Sequence, residues 1–294
     1  MSKLHCERSH LFLKTYTYKT KLPQPINRVS YIFAPMQNKS KNLRIGIVGS
    51  GNMATRLTKV FIDNGQKPVC ILSNSVSGSK LSETFFLPLI SLPEEASKVD
   101  LWLVCLRDEL LTPEFASRFS EDAFLCHTAG SVGLDAFGHR KRNGVFYPLQ
   151  TLSKEREVNF RHIPICIEAS VESDLEILET LAKTISEDVR RMDSEQRLAA
   201  HLAAVFVSNF VNHFYKIGKE LLSEKNLDFG LLKPLILETA LKALEISPEN
   251  AQTGPALRNE RKVMEKHLEL LKNKTQLAEI YNIISKSIQD GNHG

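Results

Sequence analysis

The segment IGIVGSGNMATRL, residues 45–57, restricts this chain more than any other: a β-branched run passes through Gly49-Ser50-Gly51 directly into a run with helical spacing. A strand that becomes a helix within three residues needs backbone without Cβ at the turn. The new helix then aims its unpaired N–H groups and the positive end of its dipole at whatever lies beyond it. In the pattern GxGxxA, Gly49 makes the tight turn, Gly51 admits a diphosphate close to the main chain, and Ala54 sits where helix packs on strand. A dinucleotide cradle is therefore expected from Gly49, Ser50, Gly51, Asn52, Met53 and Ala54. The competing reading is a structural glycine turn; the order strand, turn, helix favours the cradle.

The next strand, PVCILS at 68–73, is the place where an acidic residue would bind a free ribose 2′-hydroxyl. The chain instead continues Ser73, Asn74, Ser75, Val76, Ser77, Gly78, Ser79, Lys80. With no carboxylate to repel a 2′-phosphate, and with hydroxyls and an ammonium to hold one, Ser73, Asn74, Ser75 and Lys80 point to NADP(H) rather than NAD(H). An ordinary polar loop has the same composition.

From Leu43 to about Glu168, short apolar runs alternate with helical stretches. Strands are expected at 43–48, 68–73, 87–90, 101–106, 123–126, 144–147 and 164–169, with helices at 52–64 and 109–119. Runs apolar on both faces and separated by helices imply a parallel sheet covered on both sides. After Ser170 only 188–192 reads as a strand, and helices are expected over 171–186, 194–225, 228–246, 259–272 and 274–289. The fold class is thus α/β, a Rossmann doubly wound, mostly parallel sheet over 43–170, followed by an all-α domain over 171–294. Residues 1–42 form a basic extension read as disordered, with Met36 as an alternative start and a faint likeness to an organelle transit peptide.

The net charge of +4 belongs to that extension, because residues 1–44 carry nine Lys/Arg against Glu7 alone. The remaining 250 residues hold 29 basic and 33 acidic groups, a sign that argues against a nucleic-acid face. Cys70, Cys105, Cys126 and Cys166 lie in apolar strand-like runs and no CxxC pair occurs, as for free thiols in a reducing compartment. The longest apolar run, 14 residues from Leu198, contains His and Asn and is too short to span a bilayer. A cytoplasmic protein without membrane or nucleic-acid partners is expected. No metal is expected either, since the nine histidines form no HxH, HExxH or Cys/His cluster.

The GSGNMA turn, the hydroxyl-rich second loop and the all-helical second half resemble the superfamily of pyrroline-5-carboxylate reductase, prephenate dehydrogenase and 6-phosphogluconate dehydrogenase. A closer resemblance is to a family of provisionally named NADP-dependent oxidoreductases whose helical C-terminal domain is functionally uncharacterised. It rests on CHTAGSV (126–132), FYPLQTLS (146–153), AAHLAAVFVSNF (199–210), QTGPALRNE (252–260) and HLELL (267–271). One departure is Arg258-Asn259-Glu260, where Arg-Gly-Asp is expected. The resemblance implies a Rossmann domain followed by a 6-phosphogluconate-dehydrogenase-like helical domain that dimerises, and it supplies no substrate.

In such folds the nicotinamide lies beyond the carboxyl ends of the strands, which brings Leu106, Arg107, Asp108 and His127-Thr128-Ala129-Gly130-Ser131 near it. Ala129 and Gly130 are small enough to let the ring approach; Thr128 or Ser131 either donates to cofactor or substrate, or caps the helix that follows. On the helix LAAHLAAVFVSNFVNHF, at about 100° per residue, His201, Ser208 and Asn212 fall on one line with Asn209 nearby. This helix, apolar nearly all round, reads as buried. Its polar stripe serves either a helix–helix hydrogen-bond network or catalysis, with His201 as proton donor and Asn209 and Ser208 orienting the substrate. Tyr147, Asn212, Thr253 and Arg258 complete a candidate substrate site, Arg258 as a fork for a carboxylate or phosphate. The function expected is hydride transfer between nicotinamide and a small carbonyl, imine or hydroxyl substrate, by a homodimer joined through the helical domain. A prephenate-dehydrogenase-like enzyme and a non-catalytic NADP-binding sensor or assembly protein are the alternatives, the latter because no lysine stands in 201–213.

Overall fold

The structure, a computed structural model, describes residues 43–96 and 98–291. The basic extension 1–42, with Cys6 and Met36, lies outside them. An eight-stranded sheet has the order β3-β2-β1-β4-β5-β6-β7-β8. Its strands are β1 (Ile45–Val48), β2 (Cys70–Leu72), β3 (Leu89–Ile90), β4 (Leu101–Val104), β5 (Leu125–His127), β6 (Asn143–Pro148), β7 (Ile165–Ala169) and β8 (Val189–Arg191). All neighbours are parallel except β6 and β7, which run antiparallel with Val145 opposite Glu168 and Tyr147 opposite Cys166.

The alternation within each strand explains why the runs are apolar throughout. Ile45, Ile47, Leu101 and Leu103 enter one core together with Leu57 and Phe61 of α1 (Asn52–Asp63) and Leu178, Leu181 and Ile185 of α4 (Glu172–Ile185). Val48, Trp102, Val104 and Leu125 enter a second core on the opposite face with Phe119 and Phe137. Fully burying each such side chain stabilises by about 1.5–3 kcal/mol, so both faces must be covered. In α1 the buried positions Ala54, Leu57, Thr58 and Phe61 follow the i, i+3, i+4, i+7 stripe that a helix on a sheet requires.

Three expectations about the elements change. Residues 76–80, read as part of a polar loop, open helix α2 (Val76–Phe85), capped by Ser75, whose side chain accepts from the Gly78 amide. The helix expected at 109–119 is reduced to a 3-10 turn at Asp108–Leu110 and the four-residue α3 (Pro113–Ala116). Pro113 disfavours helical geometry in the residue before it and starts a new helix with Thr112 as its cap. The boundary expected near 170 falls inside the α/β layer, because α4 packs on the sheet and β8 extends it beside β7. The helical part therefore begins at α5 (Ser194–Ala204), entered through a reciprocal cap between Asp193 and Gln196.

After α5 comes a π-helical turn, Val205–Phe210, and then α6 (Val211–Ser223), α7 (Lys233–Ile246), α8 (Pro248–Ala251), α9 (Arg261–Leu270) and α10 (Thr275–Asp290). The expectation of a buried α5–α6 segment is not met within one chain: Leu202 is 57% exposed, Phe206 59% and Val207 75%. From 194 to 291 only Arg197, Ala256, Leu271 and Ser285 are buried. Among the described residues, no helix is long and apolar enough to cross a membrane.

Candidate active site

The carboxyl ends of the parallel strands β1, β2, β4, β5 and β6 lie on one side of the sheet, and the glycine turn, the serine cluster, loop 127–133 and Tyr147 lie at or just beyond these ends. At β1, Gly49 has φ +98°, and a Cβ there would lie 2.6 Å from the Cys105 carbonyl, so both conformation and space require glycine. Gly51 caps α1 without any side-chain hydrogen bond, and a Cβ on it would meet nothing within 4 Å. The amides of Asn52, Met53 and Ala54 thus lack intrahelical acceptors and sit at a positive helix end with no acidic residue in its first turn. These features fit a bound diphosphate.

Beside this turn four hydroxyls form a connected cluster. Ser50 Oγ lies 3.0 Å from Ser75 Oγ and 2.8 Å from Ser77 Oγ, while Ser75 Oγ lies 2.9 Å from Ser73 Oγ. Ser73 and Asn74 also line a crevice of about 570 Å³ with Gly49 and Leu106, at the point where the strand order leaves β1 in both directions. Lys80 lies exposed on α2, beyond the cluster.

Two residues that the sequence leaves far apart meet above the end of β5. Tyr147, near the end of β6, has its hydroxyl 3.0 Å from Nδ1 of His201 on α5. Gly130 lies beneath the pair, where a Cβ would stand 2.6 Å from Tyr147 Cζ and 2.7 Å from His201 Nδ1. Burial raises the Tyr147 phenol above its ordinary pKa, with Cys166 and Asp108 adding to the effect.

The placement of α5 against the sheet depends on charge. Arg197, wholly buried, pairs with Glu168 of β7 and also donates to the Val132 carbonyl. Ser194 Oγ donates to Glu168 and accepts from the Leu134 amide at 3.0 Å. Arg197 and Glu168 carry no motif that sequence reading recognises.

Other expected residues separate into those gathered here and those elsewhere. Ala129 is buried next to Gly130. Thr128 is buried, and neither it nor Ser131 caps the turn at Leu134–Phe137, whose cap position is Gly133. Ser131 instead donates to the Asp108 carboxylate. Arg107 pairs with Glu109 at 2.9 Å on the surface. The His127 ring is buried and faces inward, with Nδ1 accepting from the Ala129 amide at 3.3 Å and Nε2 lying 3.1 Å from the Gly133 carbonyl. Burial pushes its pKa down to about 4, so it is a neutral brace for loop 127–133.

The single polar stripe on the long helix is broken by the π turn. One extra residue in that turn shifts everything after it by about 100°, moving Asn212 off the line of His201. Asn209 and Asn212 are exposed and Ser208 half-buried. Thr253 lines a separate apolar hollow of about 300 Å³ with Phe214, Ile280 and Tyr281, and Arg258 is paired with Glu260 at 2.7 Å. Neither touches Tyr147 or His201.

A Rossmann-like sheet, a glycine turn opening its first crossover helix and a crevice at the switch point define the dinucleotide-binding class of α/β proteins. Residues 163–288 match the family model described as "Domain of unknown function (DUF2520)". A Bacteroides fragilis protein provisionally named an NADP oxidoreductase is 39% identical, with a TM-score of 0.78, over 85% of this chain and 99% of that one. The chain belongs to the family of that protein. Protein TM1727 from Thermotoga maritima shares the fold at 22% identity and TM-score 0.66, covering 85% of this chain and 98% of its own. The reductive aminase of Aspergillus terreus, in complex with NADPH and ethyl-5-oxohexanoate, does so at 13% identity and TM-score 0.63, over 85% and 95%. No curated protein matches the chain.

Proposed function

We propose that this protein is an NADP(H)-dependent oxidoreductase acting on a small carbonyl, imine or the corresponding reduced compound. The observation that carries the reading is the Tyr147–His201 pair, 3.0 Å apart, facing Gly130 at the same sheet edge as the glycine turn. A bound nicotinamide supplies or accepts the hydride. The chain's own residues must hold the partners in line and manage one proton. Burial keeps Tyr147 protonated at neutral pH, so its phenol is available to protonate the oxygen or nitrogen of the reduced group, and His201 holds the hydroxyl in place through Nδ1. Asp108, held by Ser131, puts a carboxylate at the rim. Arg107 is paired with Glu109, and Arg258, paired with Glu260, stands apart from Tyr147 and His201. That balance favours a substrate cationic at the reacting centre, as an iminium is, over one anchored by its own carboxylate. It also weighs against the prephenate-dehydrogenase-like alternative.

Preference for NADP(H) rests on the Ser50, Ser73, Ser75 and Ser77 hydroxyls, with no carboxylate among them, beside the amino end of α2. A homodimer through the helical part accounts for a region, residues 194–291, that buries only four side chains within one chain. Leu202, Phe206 and Phe210 then meet a second copy.

The test is a titration with NADPH and NADH, followed by cyclic imines and ketone–amine mixtures scored by NADPH absorbance loss. Tyr147→Phe and His201→Asn should keep coenzyme affinity and lose turnover by about 10²–10⁴-fold. Turnover unaffected by both would remove the proton role. Sedimentation of the wild type and of Phe206→Glu tests the dimer, which a wild-type monomer would exclude.

A further inference from the structure

After β6 the chain does not leave the site. Its loop 149–159 runs back to the amino end of α1, and side chains of α1 hold it there. Asn52 Nδ2 donates to the Leu152 carbonyl at 3.0 Å, and Arg56 donates to the carbonyls of Ser153 at 2.7 Å and Lys154 at 2.9 Å. Arg56 is only 6% exposed, a position where a guanidinium ordinarily meets a carboxylate. Here both of its bonds go to consecutive main-chain carbonyls of one loop, which fixes the backbone of the residue bearing the second.

That residue is Lys154. Its Nζ donates to the Ser50 carbonyl at 3.1 Å, in the middle of the Gly49-Ser50-Gly51 turn. Among the described residues Lys154 makes no ion pair, although Glu155 and Glu157 are close in sequence; Glu157 reaches Lys59 instead, at 3.7 Å. An ammonium has three donors and one is used, so two remain for an acceptor at the turn. The uncapped amides of α1 converge on the same place.

We infer that Lys154 is a ligand of the coenzyme's diphosphate bridge, carried to the glycine turn by the strap 149–159. The inference rests on the dinucleotide reading above and adds a charged contact that no glycine motif contains. The diphosphate, and not the 2′-phosphate, is its target, because Lys154 is anchored on the main chain of the turn and bonds none of Ser73, Ser75 or Ser77. Charge-assisted bonds to phosphate are about twice as strong as neutral ones, so losing this one weakens binding about tenfold.

The experiment measures NADPH and NADH affinity by nicotinamide fluorescence for the full chain, Lys154→Met and Lys154→Arg, together with melting temperatures without coenzyme. Expected are a similar loss of about tenfold for both coenzymes in Lys154→Met, substantial recovery in Lys154→Arg, and unchanged melting for this exposed side chain. Wild-type binding with Lys154→Met within twofold of it overturns the inference and spares the dinucleotide reading. Loss confined to NADPH overturns the diphosphate assignment. Lowered melting without rescue by arginine makes the contact merely structural. Wild type that binds neither coenzyme removes both readings.

Discussion

The clearest quantitative consequence concerns His127, the neutral brace of loop 127–133. Its Nδ1 accepts from the Ala129 amide, so Nε2 carries the proton that the Gly133 carbonyl receives. Protonating Nδ1 would turn this acceptor into a donor facing another donor, in a site with no exposure. The folded pKa is about 4 against a reference of 6.5. Because the folded pKa is lowered, the unfolded chain binds the proton more readily, and stability falls as pH drops from 6.5 toward 4. At about 1.4 kcal/mol per unit, the gap corresponds to roughly 3 kcal/mol at its limit and about 2 kcal/mol at pH 5. Urea unfolding at pH 7.5 and pH 5, at fixed protein concentration, measures it for the wild type and His127→Gln. Other titrating groups cancel in the comparison, so the variant should lose about 2 kcal/mol less between the two pH values. Equal pH dependence in both proteins would refute the assignment of His127 as a buried neutral group.

Two further perturbations test the frame around the pair. Gly130→Ala places a methyl against both Tyr147 and His201, so a loss of about 1–3 kcal/mol in thermal or urea stability and a collapse of turnover with coenzyme affinity kept are expected. Arg197→Met leaves Glu168 without its buried partner and should cost about 3–5 kcal/mol by urea unfolding, whereas Arg197→Met with Glu168→Gln should recover part of it.

Much of the fold was legible from local pattern. Seven apolar runs and the short 188–192 piece correspond to the eight strands, since a strand buried on both faces has no polar alternative along its length. Helix α2 was hidden because its amino half, rich in serine and glycine, has the composition of a turn; only the cap made by Ser75 distinguishes it. The helical wheel failed beyond Val205 because it assumes one pitch, and a π turn changes the phase without leaving a pattern in residue type. The expectation that brings His127 near the nicotinamide follows from its position after β5, whereas the direction of its ring, set by the Ala129 amide and Gly133 carbonyl, leaves no trace in the sequence. Arg56 and Lys154 were missed because a basic residue on a helix face or in a loop reads as solvated until its hydrogen-bond partners are known.

Sequence alone determined the glycine turn, the hydroxyl-rich end of β2 and the change from strands to helices, because each follows from steric freedom or hydrophobic periodicity within a few residues. Only the tertiary structure decided that Tyr147 and His201, 54 residues apart, share one hydrogen bond, and that Arg197 fixes α5 against β7. Such contacts join segments whose relative placement depends on the packing of the whole sheet, and no local pattern records them.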